Sequence, residues 1–100
     1  IMAAYLIANI DVQDSTKYKE YIKLTPPIVQ KFGGKFLIRG GDYEICEGEW
    51  QPKRIIMIQF KSMEKAKEFY HSIEYKKILQ IRQDSSYSDL VLVDGISPEI

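Results

Sequence analysis

The chain has 100 residues, 14 Lys and Arg against 14 Asp and Glu, and 45% hydrophobic residues. That length and apolar share suit one packed core and exclude a disordered chain, while zero net charge removes any long-range pull on nucleic acid or an anionic membrane. No apolar run approaches the roughly 20 residues that span a bilayer, and no basic stretch leads into an apolar one at the N-terminus, so a cytoplasmic location is expected, with neither nucleic acid nor membrane as partner.

Periodic apolar segments recur from Ala3 to Val93 with short turns between them, which predicts one domain over residues 2–96 and a tail over 97–100. Ile1 ahead of Met2 reads as an addition from cloning and is set aside. Ala3 to Ile10 is apolar on both faces and predicts a central strand. Asp14 offers an N-cap to a helix whose Tyr18, Tyr21, Ile22, Thr25, Val29 and Phe32 recur every three or four residues, while Lys17, Lys19, Glu20 and Lys23 face water. Gly33 and Gly34 close it. Pro26 and Pro27 are expected to kink or divide this helix, with Thr25 as a second N-cap and Pro26 at the first helical position. Lys35 to Arg39 and Tyr43 to Glu47 are both strand-like, and Gly40–Gly41 between them is read as a bulge in one long bent strand. Arg54 to Phe60 predicts the next strand. Ser62 caps a helix carrying Met63, Ala66, Phe69 and Tyr70 on one side, and Ser72 caps another carrying Tyr75, Ile78, Leu79 and Arg82. Leu90 to Val93 is the last strand.

The order β-α-β-β-α-β predicts an α+β fold, the ferredoxin-like plait: a four-stranded antiparallel sheet with helices on one face. A first strand apolar on both sides requires the open sheet face to be covered. Two copies packed sheet to sheet do so, which predicts a homodimer of the dimeric α/β barrel type.

Phe36 to Gly41, Glu47 to Arg54, Phe69 to Tyr75 and Arg82 together resemble the domain of unknown function 1330 family, over nearly the whole chain from Ala3 to Gly95. The resemblance implies a ferredoxin-like fold related to the dimeric α/β barrel superfamily, and no established general activity. The sequence departs from the family pattern at Ile73, where a proline usually follows the serine.

The three arginines are placed unlike the eleven lysines. Arg39 ends a strand, Arg54 opens one, and Arg82 lies on an otherwise apolar helix face. A guanidinium holds carboxylate or phosphate with two parallel hydrogen bonds, so these residues point either to an anion pocket between helices and sheet or to internal ion pairs with Glu44, Glu47 or Asp94. Ligand-binding candidates are Arg39, Arg82 and Tyr75, with Gly40 and Gly41 allowing close backbone approach; Tyr18, Tyr21, Tyr70 and Tyr75 are mostly core, with hydroxyls that need partners. His71, the sole histidine, is a candidate acid or base, or a helix-end residue bonding the last carbonyls. Asn9 is a candidate catalytic amide, because oxygenases that need no cofactor and haem-degrading enzymes of the superfamily also look to an asparagine on the first strand. Cys46 alone cannot form an internal disulfide or a cysteine zinc cluster, and no metal or cofactor is expected. Ile55 to Phe60 lacks the aromatic and basic signature of RNA-binding plaits. Three functions follow as expectations: a dimer that binds or transforms a small acidic or polar metabolite, a cofactor-independent monooxygenase, or a non-catalytic structural dimer.

Overall fold

Strand β1 (Ala4–Val12) shows the alternation that places it at the centre of a sheet: Ala4, Leu6, Ala8 and Ile10 are buried, while Tyr5, Ile7 and Asn9 face the other side. The computed structural model describes residues 2–96, so the predicted tail over 97–100 lies outside the described residues. The elements that follow are α1 (Ser15–Lys31), β2 (Lys35–Arg39), β3 (Ile55–Phe60), α2 (Met63–His71), α3 (Ile73–Ser85) and β4 (Ser86–Asp94). The sheet runs β2-β3-β1-β4 with every neighbouring pair antiparallel, which is the ferredoxin-like order.

Three of the four predicted caps form. Asp14, Ser62 and Ser72 each accept the amide hydrogen three residues on, from Lys17, Lys65 and Tyr75. Ser72 caps α3 although Ile73 stands where the family pattern has proline. At the end of α1 the chain turns through Gly33, φ +76°, and the Gly34 amide reaches back to the Val29 carbonyl at 2.9 Å.

Two expectations are corrected. Pro26 and Pro27 do not divide α1, which runs unbroken over 17 residues, and Thr25 is not a second cap: its hydroxyl donates to the Tyr21 carbonyl. Pro26 has no N–H for the Ile22 carbonyl four residues back. The Arg39 guanidinium takes that carbonyl instead, Nη2 to O 2.6 Å, so a side chain from the sheet replaces the bond the proline removes. Tyr43 to Glu47 is not a continuation of β2 either. After the Gly40 amide makes a last bond to the Ile55 carbonyl, at 2.9 Å, the chain leaves the sheet edge and stays exposed, because its partner β3 begins only at Ile55 and offers nothing further to pair with. The bulge sits at Leu37, not at the glycines: Phe36 pairs with Ile58, but Ile38 pairs with Met57 and Arg39 with Ile56.

The core lies between the sheet and the helices. Ile56, Ile58 and Phe60 from β3 join the buried side of β1 against Tyr18, Tyr21 and Val29 of α1, Ala66 and Phe69 of α2, and Tyr75 and Ile78 of α3. Phe69 is central, with ring centroids 4.6 Å from Tyr75 and 5.2 Å from Phe60. The opposite sheet face is apolar as well. Ile38, Met57, Ile7 and Val91 form one cross-strand row through all four strands, and Val91 is 57% exposed.

Candidate anion-binding site

The Leu37 bulge decides where Arg39 points. Strand residues alternate between faces, so an inserted residue reverses the alternation. Phe36 faces the helices, and without the bulge Arg39 would face the open side; with it, Arg39 stands opposite the helix-facing Ile56. Arg54 reaches the same layer by simple alternation with Ile56, Ile58 and Phe60. Arg82 comes down from α3, 4% exposed, from the stripe that also carries Tyr75 and Ile78.

These three arginines line one cavity of about 30 Å³ between the helix layer and the sheet, together with Tyr18, Tyr21 and Tyr75. The sequence pattern alone left the meeting of Arg39 and Arg82 open; they share its wall. Arg39 is partly engaged, through the Ile22 carbonyl and a stacked position 4.6 Å from the Phe36 ring centroid. Arg54 lies 5.8 Å from the Tyr18 ring centroid, in the range of a cation–π contact. The Nε atoms of Arg54 and Arg82 are buried and find no hydrogen-bond partner among the described residues. Tyr21 and Tyr75 bond hydroxyl to hydroxyl at 2.6 Å, which leaves one phenol proton of the pair for a further acceptor.

No carboxylate of the described residues lines this cavity. Among the described residues every ion pair uses a lysine: Lys17 with Asp84 at 3.2 Å, Lys65 with Glu68 at 3.1 Å, and Lys31 with Glu74. The internal ion pairs weighed for the arginines, with Glu44, Glu47 or Asp94, are therefore not made. Burial works against the Arg82 charge, but in alkali the ionised phenols of Tyr75 and Tyr21, with a hydrogen bond to Tyr75, hold its pKa above the ordinary guanidinium value. Desolvation raises the Tyr21 phenol, with Tyr75 adding to the shift. It raises Tyr18 too, against the lowering pull of Arg54.

Those two tyrosines give an alkaline signature. Their folded pKa values lie above the unfolded value of about 10, so the stability they contribute is complete below pH ~10 and is lost as pH rises through the folded values. Ultraviolet titration is expected to show Tyr18 and Tyr21 withheld from ionisation until the fold opens; all seven tyrosines ionising together near pH ~10 in the folded protein would contradict the buried, hydrogen-bonded site.

The other candidates fall elsewhere. A Cβ on Gly40, which has φ +71°, would overlap the Arg54 guanidinium, so this glycine makes room for a cavity arginine; Gly41 has open space around it. His71 is exposed at the end of α2, with its ring 5.3 Å from that of Tyr70. Asn9 lies on the open sheet side, where its Oδ1 accepts the Lys53 amide at 2.7 Å. Cys46 is exposed. No group of three or more His, Cys, Asp or Glu at metal-binding geometry occurs among the described residues, and none of their helices is long and apolar enough to cross a membrane. Arg54 is the cavity residue the sequence undervalued, and its signal was the period-two match with Ile56, Ile58 and Phe60.

The architecture is thus an α+β plait of ferredoxin-like type with an arginine- and tyrosine-lined cavity beneath its helices. By sequence the chain belongs to a family described as a domain of unknown function, DUF1330, whose model matches residues 3–96. No curated protein matches the sequence. Among solved structures it is similar to RPA0582, a protein of unknown function from Rhodopseudomonas palustris, at 14% identity and a TM-score of 0.77, covering 97% of this chain and 85% of that one. It is similar in fold to an ethyl tert-butyl ether d (ethd) family protein from Bacillus halodurans C-125, at 13% identity and a TM-score of 0.56, over 96% of this chain and 100% of that one. A putative antibiotic biosynthesis monooxygenase from Nitrosomonas europaea gives the same identity and score, 13% and 0.56, over 97% and 92% of the two chains. At these identities the likeness is one of fold.

Proposed function

We propose that the chain acts as a homodimer that binds a small carboxylic acid, with the carboxylate held at Arg82 and Arg54 and a tyrosine hydroxyl of the Tyr21–Tyr75 pair as a further donor. One observation carries this reading: Arg82 is buried without a carboxylate, and its Nε is unpartnered. A buried guanidinium is costly until an anion meets it, and a charge-assisted pair there is stronger than one in water. The cavity volume of about 30 Å³ fits a carboxylate-sized group, since a single water needs at least ~10–15 Å³. Asn9 and His71 do not line this cavity, so the binding reading needs no catalytic role from either. A monooxygenase would have to use an Asn9 whose oxygen is already taken by the Lys53 amide.

The test is thermal stability in acetate or propionate against chloride at equal ionic strength. A ligand that binds only the folded state at 100 times its Kd stabilises by about 2.7 kcal/mol, so a rise of several degrees is expected. Arg82→Lys, which keeps the charge but loses the planar fork, is expected to abolish that rise. An equal rise in both proteins, or none in the wild type, would defeat the reading.

The dimer is supported by the apolar row Ile38–Met57–Ile7–Val91 on the face without helices. A contiguous apolar sheet face of this kind marks an interaction surface, and a second copy offers the same row in a self-complementary way. Sedimentation should show a dimer for the wild type and a folded monomer for Val91→Lys, because the new ammonium would be buried in the interface. A wild-type monomer would remove the sheet-to-sheet assignment.

A further inference from the structure

The cavity is small, about 30 Å³, so a larger acid has to extend beyond it. Arg82 and Leu90 line the cavity, and both also line a second, open cleft of about 720 Å³. We propose that the acid bound at Arg82 is a hydroxylated monocarboxylic acid, its polar tail lying in the cleft that shares Arg82 and Leu90 with the cavity. The proposal rests on the anion-binding reading above and adds the class of ligand.

The cleft's chemistry selects the tail. Gln51, Gln83 and Asn9 offer amides, Asp11 and Asp89 offer carboxylates, and Lys53 offers an ammonium. Asn9 and Asp89 are cross-strand partners on β1 and β4, so amide and carboxylate stand side by side there. The Asn9 oxygen is taken by the Lys53 amide, which leaves its Nδ2 hydrogens to donate. Such a wall matches hydroxyls, which both donate and accept. An alkyl tail would strip water from these groups and return nothing, and a second carboxylate would face Asp11 and Asp89 with only Lys53 to offset them.

Three acids of six carbons separate these cases by calorimetry on the full-length protein: gluconate, hexanoate and glucarate. Gluconate is expected to bind about tenfold more tightly than either of the others, the effect of one or two hydrogen bonds gained or one like-charge contact avoided. The double variant Gln51→Ala with Gln83→Ala, both exposed positions, is expected to bring gluconate down toward hexanoate while leaving the acetate response of the cavity unchanged. If hexanoate or glucarate equals gluconate, or the double variant binds gluconate as well as wild type does, the tail assignment fails. Acetate binding that depends on Arg82 would persist in that case, whereas its absence would show that the anion site itself is wrong.

Discussion

Arg82→Met is expected to raise the melting temperature of the ligand-free protein while removing its response to carboxylates. Arg82 is 4% exposed, lines a cavity without a carboxylate, and leaves its Nε unpartnered. Replacing even a buried ion pair by well-packed apolar residues of similar volume is often neutral or stabilising by about 1–4 kcal/mol, and a guanidinium without a carboxylate has less pairing to lose. In a domain of this size each kcal/mol moves the midpoint by roughly 4–8 °C, so a gain of several degrees is the expected reading. The opposing contribution is the favourable field of Tyr75 and Tyr21 on the guanidinium. That field has its full strength only when the phenols ionise in alkali; near neutral pH they are uncharged dipoles, and the burial cost is expected to exceed what they return. A melting temperature lowered by ten degrees or more would instead make Arg82 a structural residue bonded to its tyrosines, and would favour the non-catalytic structural module. A stabilised variant that no longer responds to acetate is the signature of a residue held at the expense of stability for a ligand.

Phe69→Ala carries the largest expected stability loss. The ring is 1% exposed and stands among Tyr75 at 4.6 Å, Phe60 at 5.2 Å and Phe32 at 6.2 Å between centroids. It also lines the arginine cavity. Truncation removes its burial and leaves a void that the rigid sheet beneath cannot collapse into, at a cost of about 3–5 kcal/mol. Against a total stability of about 5–15 kcal/mol, the variant should be partly unfolded at physiological temperature, with a denaturant midpoint far below that of the wild type and an unchanged slope. A loss under ~1 kcal/mol would mean that the helices close over the gap, and the helix layer would then be more plastic than its packing indicates. The enlarged cavity adds a second readout, since any folded fraction should accept a bulkier acid.

Much of the frame was legible because it is local. Asp14, Ser62 and Ser72 cap helices with their own side chains over three residues, and Ala3 to Ile10, apolar on both faces, marked the strand that lies inside the sheet. The failures are all long-range. Pro26 reads as a helix breaker until Arg39, from a different element, takes up the Ile22 carbonyl. Tyr43 to Glu47 has strand composition but no partner, since β3 begins only at Ile55, and β propensity without a partner makes no strand. The site was half legible for the same reason. Arg39, Arg82 and Tyr75 stood out as polar residues on apolar faces, whereas Gly41 and His71 were chosen for residue type and do not line the cavity.

The sequence by itself determined the element order, the caps at Asp14, Ser62 and Ser72 and the apolar stripes of the helices, because those depend on side-chain spacing and bonds within a few residues. Only the tertiary structure decided that three arginines share one cavity and that no carboxylate comes with them. A chain of zero net charge conceals that local excess, and a one-residue bulge at Leu37 turns Arg39 toward the helices, since alternation reverses wherever a residue is inserted and only the pairing with β3 shows where that happens.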